Sequence, residues 1–232
     1  MWCDDLPAES TWAALWRGYI LCARCRGIRT VAESCPACEA PPPSLAPRVI
    51  RTEDGQEFEV ATAFMGAEGR YEDWVFLILL EREWKRSTAD DTLLTRISEQ
   101  HRPSDRAAFV LLFWTYFETR FERLLRQGMA AIPEPIVADL LQRYSSIGAR
   151  LDRLYRVLFG TTYWADLEDL GYGQVAALLR DVQERRNRFV HGHPEAIDDT
   201  TVQRLGEGLK REHEAWIAAF NRRAALSLST DS

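Results

Sequence analysis

The sequence predicts a mainly α-helical protein, a helical bundle preceded by a small cysteine-bearing unit and a β-hairpin. Three observations predict it. From residue 70 onward, apolar residues recur at the three- and four-residue spacing that lines one face of a helix. Strand-like alternation is confined to a short stretch on either side of Asp54-Gly55, a strong hairpin turn signal. Four of the five cysteines fall within residues 22–38.

The elements follow in order. Residues 6–17 read as a short helix carrying Trp12, Leu15 and Trp16. Pro41-Pro42-Pro43-Ser44 stiffens the chain into a linker. Arg48 to Thr52 and Glu57 to Ala63 read as two paired strands. Tyr71 to Arg86 carries Trp74, Val75, Ile78, Leu79 and Trp84 at helical spacing, and a weaker helix covers Thr88 to Glu99. A long helix starts at the cap Ser104 and stops near Gly128; its apolar residues cover most sides, the pattern of the central helix of a bundle. Further helices are expected near 135–146 and 149–159, over Gln174 to Val190, and from a cap at Asp198-Asp199-Thr200 to about Ala225. Gly192-His193-Pro194 is a strong stop. No element is assigned between Gly160 and Gln174. The reading divides the chain into 1–46, 47–100 and 101–226.

Composition narrows the function. The 232 residues are 46% hydrophobic and 28% charged, ordinary for a globular chain and foreign to a collagen-like or low-complexity one. The net charge of −6 excludes a generally basic nucleic-acid binder. Only residues 100–193 are net positive, by +2, so a phosphate contact has to come from a local patch. The basic residues are 27 arginines beside Lys85 and Lys210, and arginine grips phosphate with a planar fork of donors. The longest apolar runs, Trp74 to Leu80 and Ala107 to Phe117, fall short of the roughly 20 residues that span a bilayer, so no membrane association is expected. No signal peptide is visible at the start. Five cysteines in such a chain point to a cytoplasmic, reducing setting, with Cys3 a free thiol.

Cys22-Ala-Arg-Cys25 and Cys35-Pro-Ala-Cys38 are two CxxC pairs nine residues apart. Four thiolates at this spacing can close a tetrahedron around one ion, each turn aiming backbone amides at the sulfurs. The pattern resembles a zinc ribbon over residues 17–40, which implies one structural Zn²⁺ per chain. A rubredoxin-like iron site would use the same four ligands. Arg24, Arg26 and Arg29 stand on or beside the unit, either as a solvated face or as contacts to RNA or a partner.

Arg180, Arg185, Arg186 and Arg188 crowd the end of the 174–190 helix, followed by His191 and His193. Arg186-Asn187-Arg188-Phe189-Val190-His191 is an arginine, a polar residue and a histidine five positions on. On these residues the chain resembles the HEPN superfamily of helical, usually dimeric domains, over about residues 104–225. The resemblance implies a ribonuclease that needs no metal for catalysis and a homodimer formed through the helical domain. It further implies a role as a toxin or anti-phage defence effector, with an antitoxin or defence partner.

The chemistry is consistent with that family. A histidine near neutral pH can exchange protons with a ribose 2′-hydroxyl and a leaving 5′-oxygen, and an arginine can hold the phosphate. His191 is the expected acid or base, Arg186 the clamp and Asn187 the positioner. Glu118 on the long helix is a candidate partner for the arginine, and His193 an auxiliary proton carrier. Arg188 and His193 form the same spacing two residues later. Five residues of ideal helix subtend about 500°, which leaves Arg186 and His191 about 140° apart. A break at Gly192 or a second protomer has to bring them together. The bland alternative is a helix C-terminus whose arginines and histidine satisfy carbonyls.

The expected function is therefore endonucleolytic cleavage of tRNA or mRNA. The alternatives are a catalytically inactive HEPN and zinc-ribbon module for RNA or protein binding, and a transcription-related zinc-ribbon protein. His101 and His213 lie in charged surroundings and read as surface residues.

Overall fold

The computed structural model describes residues 11–12, 15, 19–22, 24–30, 32–42, 48–51, 57–60, 70–88 and 102–229. Most of the helix read at 6–17, the Asp54-Gly55 turn, nearly all of the helix read at 88–99, and Cys3 and His101 lie outside the described residues.

The chain is mainly helical. Two short antiparallel hairpins come first: β1 (Tyr19–Leu21) with β2 (Ile28–Thr30), and β3 (Arg48–Arg51) with β4 (Glu57–Val60). In the second, Arg48 faces Val60 and Arg51 faces Glu57. The helices follow: α1 (Arg70–Thr88), α2 (Arg102–Gly128), α3 (Glu134–Arg143), α4 (Ile147–Ala149), α5 (Tyr155–Phe159), α6 (Tyr163–Asp169), α7 (Gly173–Val190) and α8 (Asp199–Ser229). A π-helical segment, Arg150–Leu154, joins α4 to α5.

The core is built on α2. Phe109, Val110, Phe113, Trp114, Phe117, Phe121, Leu124 and Leu125 are all buried, which accounts for an apolar pattern on most sides. Each such side chain contributes roughly 1.5–3 kcal/mol on burial. α2 packs on α1, α5, α7 and α8. Around Phe121 the rings of Phe117, Tyr155 and Tyr163 pack at centroid distances of 5.9, 6.0 and 5.0 Å. α1, which lies in the middle segment of the sequence division, is an integral part of this bundle. Leu77 and Leu80 are buried in it, and α1 meets both α2 and α8. At the α1–α8 crossing a Cβ added to Gly206 would stand 2.1 Å from Trp84 Nε1, so only glycine admits the indole there.

α6 is the element that helical spacing missed. Gly160, at φ 74°, ends α5, and the Thr162 side chain then caps α6 by accepting from the Ala165 amide at 3.2 Å. Seven residues are too few to display a period. Its buried Tyr163, Trp164 and Leu167 seal one end of the core. Buried Asp166 accepts from the Tyr155 hydroxyl, from Arg223, and from Arg222 at 3.0 Å, tying α5, α6 and α8 together.

A second buried polar cluster joins α2 to α8. Arg120 is fully enclosed and its Nη2 donates to both oxygens of Glu212 at 2.6 and 2.5 Å. Its guanidinium lies 3.9 Å from the Tyr116 ring centroid. His213, next to Glu212, is 2% exposed and not a surface residue. Of its charged neighbours in sequence, Glu212 turns inward to Arg120, while Arg211 and Glu214 pair at the surface. Burial first, and then the Arg120 guanidinium, lowers His213 to about 3 against the pull of the Leu15 backbone.

The sign of the consequence follows. The unfolded histidine takes a proton below its ordinary value of about 6.5, whereas the folded one stays neutral down to about 3. Stability is therefore complete above 6.5 and falls as pH drops towards 3. The Tyr19 ring stands edge-on to the imidazole at a centroid distance of 6.2 Å, and the charge acting on it is that of Arg120. His213→Leu should remove about 2 kcal/mol of the stability difference between pH 7 and pH 5, measured by urea unfolding at both. An unchanged difference refutes this assignment.

Candidate metal centre and candidate active site

The β1–β2 hairpin carries the first cysteine pair, and the second follows in the next turn. The two turns repeat one backbone pattern. Arg26 N donates to Cys22 O and Glu39 N to Cys35 O, at 2.9 and 2.8 Å. Cys22 N donates to Gly27 O and Cys35 N to Ala40 O, at 2.8 and 2.9 Å. The residue after each pair takes a left-handed conformation, Arg26 at φ 60° and Glu39 at φ 58°. Non-glycine residues adopt that region at a cost, so something must hold both turns in place.

The four Sγ atoms lie within 4.8 Å of one another, with Cys22 to Cys38 at 3.6 Å and Cys25 to Cys35 at 3.5 Å. Tetrahedral thiolates around zinc at about 2.3 Å stand about 3.8 Å apart, so the set fits one such ion. Gly27 N points at Cys25 Sγ from 3.3 Å, the outer donor that a coordinated thiolate accepts. Burial opposes ionisation of Cys22, but the amides of Cys25 and Arg24 together with the thiols of Cys38 and Cys35 draw it down to about 6. Burial pushes the Cys25 thiol up. Four buried or half-buried thiols this close could hold a metal ion such as zinc.

The arginines around the centre divide. Arg29 is buried and its Nη1 donates to Ala40 O and Pro41 O at 3.1 and 2.8 Å, fastening the chain after the second turn. Arg24 and Arg26 are exposed. The unit joins the bundle through Asn221 of α8. Its Oδ1 accepts from Ile28 N at 2.6 Å and its Nδ2 donates to Ile28 O at 2.7 Å, as a neighbouring strand would.

The second site lies at the end of α7. The helix runs to Val190 and closes in a complete Schellman turn: His193 N donates to Arg188 O and Gly192 N to Phe189 O, both at 3.1 Å, with Gly192 at φ 94°. Arg185 pins the returning chain, its Nη1 donating to Ala196 O at 3.2 Å and Asp198 Oδ2 at 3.1 Å. Asp198 in turn accepts from the amide and hydroxyl of Thr201 at the start of α8.

This geometry gathers Asn187, Arg188, His191 and His193 with Glu184 around one cavity of about 470 Å³. Both histidines are exposed. Arg186 is not among the lining residues. It is half-buried on another side of the helix, with Nη1 donating to Asn187 Oδ1 at 3.2 Å and Nε enclosed without a hydrogen-bond partner among the described residues. The break at Gly192 comes one residue after His191 and so does not bring Arg186 and His191 to one face. The pair two residues later does share the cavity. Glu195, which the sequence reading passed over, stands 3.3 Å from His193 Nδ1 and 3.9 Å from Arg188 Nη2. An acid two residues beyond a histidine at a helix stop was the available signal.

Glu118 is half-buried on α2 and accepts from the Trp114 indole at 2.6 Å rather than from an arginine. The enclosed arginine of that helix, Arg120, is on Glu212. Of the four clustered arginines, Arg180 pairs with Glu168 at 3.3 Å and Arg185 with Asp181 at 2.9 Å, so both are spoken for by the fold.

Fold and sites together define a helical-bundle protein with an N-terminal four-cysteine candidate metal centre and a histidine-bearing cavity at a helix end. No family model, curated protein or solved structure matches the chain. Among the described residues no helix is long and apolar enough to cross a membrane.

Proposed function

We propose that the chain is an RNA-cleaving enzyme of the HEPN kind whose proton transfers are carried by histidines. The observation that carries this reading is the single cavity lined by His191, His193, Asn187 and Arg188. One imidazole takes the proton of the ribose 2′-hydroxyl as that oxygen bonds to phosphorus. The bond from phosphorus to the 5′-oxygen breaks, and the other imidazole, protonated, supplies the proton that oxygen needs. The products are a 2′,3′-cyclic phosphate and a 5′-hydroxyl. Arg188 meets the phosphate oxygens and Asn187 orients them. Arg186, on another side of α7, enters only a cleft completed by a second copy of the chain, in keeping with a homodimer. Zn²⁺ in the four-cysteine centre is structural in this reading. The setting is a toxin or defence system acting on tRNA or mRNA in the cytoplasm.

A mixed tRNA and mRNA pool tests it. The wild type should leave cyclic-phosphate ends, and His191→Ala should slow cleavage about 100-fold or more, the usual share of one acid–base group. Arg186→Ala and Arg188→Ala, compared side by side, identify the clamp. Equal cleavage by wild type and His191→Ala overturns the assignment. The second reading, a non-catalytic RNA- or protein-binding module, draws on the separation of Arg186 from His191. RNA retention without cleavage by the wild type is its expected outcome.

A further inference from the structure

Glu184 lines the α7 cavity, yet no step of the proposed cleavage uses it. It is exposed, and among the described residues it makes no hydrogen bond or ion pair. The arginines four residues to either side turn elsewhere: Arg180 is on Glu168 at 3.3 Å, and the acid nearest Arg188 is Glu195 at 3.9 Å. Gln183 lines the same wall, and its amide has no hydrogen-bond partner among the described residues either.

Position along the helix divides the cavity. Residues 184 and 188, and 187 and 191, are each four apart and so stack along one face. His191 comes seven residues after Glu184, about 10 Å along the axis at 1.5 Å per residue. That is the reach from a nucleotide's 3′-phosphate across its sugar to the outer edge of its base. A carboxylate repels phosphate. With Arg188 and the histidines at the phosphate end, Glu184 is left to meet the base.

A carboxylate only accepts hydrogen bonds, through two oxygens side by side. Guanine alone among the four bases offers it two adjacent donors, N1–H and N2–H. Adenine and cytosine offer one N–H beside a ring-nitrogen lone pair, and uracil one N–H between two carbonyls. The Gln183 amide supplies a donor for guanine O6. The nucleoside whose 2′-hydroxyl reacts keeps its phosphate in the site as the 5′-oxygen leaves, so it is the one this wall can hold.

We propose that the α7 cavity takes guanosine on the 5′ side of the cleaved bond, with Glu184 as the residue that reads its base. This rests on the reading of the cavity as the RNA-cleaving site.

Two measurements on the metal-loaded full chain test it. The first is calorimetric titration with the 3′-monophosphates of guanosine, inosine, adenosine, cytidine and uridine, which reads the wall without any cleavage. Inosine lacks only the N2 amino group. The guanosine nucleotide should bind about tenfold more tightly than the inosine one, the usual worth of a hydrogen bond to a charged group. Glu184→Gln, first checked for an unchanged thermal midpoint, should bring that ratio towards one. His191→Ala should keep it. The second is cleavage of oligonucleotides carrying one guanosine or one inosine, in which the cyclic-phosphate ends should carry guanosine. Guanosine-selective binding that Glu184→Gln abolishes, with no RNA cleaved, would keep the guanosine site and remove the nuclease. Cleavage at equal rates after all four bases would keep the nuclease and overturn the proposal. Equal binding of the guanosine and inosine nucleotides, binding of neither, or an undiminished preference in a folded Glu184→Gln would also overturn it.

Discussion

Removing the metal from the four cysteines is expected to unfold the β1–β2 unit while leaving the helices standing. The unit has almost no apolar interior of its own. Its buried cluster is Cys22, Cys25 and Cys35, with Ala37, Cys38 and Ala40 around it. Two strands of three residues are far below independent stability. Structural zinc contributes about 10–16 kcal/mol to such units, and a metal bound here would also hold Arg26 and Glu39 in left-handed conformations. The bundle, by contrast, has a continuous core running through α1, α2, α5, α6, α7 and α8. A chelator should therefore release one ion per chain, expose Cys22, Cys25, Cys35 and Cys38 to a thiol reagent, and open residues 19–42 to protease, with little loss of helical circular dichroism. Cys25→Ser should reproduce the effect. Elemental analysis of the released ion separates zinc from iron. Thiols that stay shielded after metal removal would refute the centre.

Glu212→Ala is expected to be the most damaging single change in the bundle, at about 3–5 kcal/mol. It leaves the Arg120 guanidinium charged in a site that excludes water, with Nε and Nη1 already lacking hydrogen-bond partners among the described residues. The cost is that of an orphaned charge and not the net worth of the pair. Arg120→Met combined with Glu212→Leu should therefore recover most of the loss. Urea unfolding of the two variants and the wild type decides the matter through their midpoints at constant slope. A double variant as unstable as Glu212→Ala would mean that the pair does more than cancel its own desolvation.

The long elements were legible because their signals are long. α2 presents many turns of apolar spacing, and the sequence reading places it within a few residues of its bounds. The same holds for α7, whose Gly192 stop is the αL residue of its cap. Both cysteine turns were legible from spacing alone. What escaped reading depends on contacts distant in sequence. Asp73 and Glu81 of α1 are buried, against every expectation from their type, because Arg123 of α2 reaches the first at 2.7 Å and the Thr11 hydroxyl and Trp12 amide donate to the second at 2.8 and 3.1 Å. His213 is buried for a similar reason: its surroundings come from α2 and β1. The α7 site was half legible. Asn187, Arg188, His191 and His193 share a cavity, but helix geometry turns Arg186 away, and no local rule shows whether a second copy would compensate.

The paired contacts of Asn221 with Ile28 bridge a sequence separation of 193 residues. A contact of that span is slow to form, since the whole intervening chain must be closed before it adds anything. During synthesis the cysteine unit leaves the ribosome before the helices, while Asn221 is among the last of the described residues to appear. A metal-holding unit would have to capture its ion and hold its shape without its docking partner for the time taken to make nearly the whole bundle. If the four cysteines take a metal, its supply at that moment would govern whether α8 finds a finished hairpin to close upon, or an open chain with four reactive thiols.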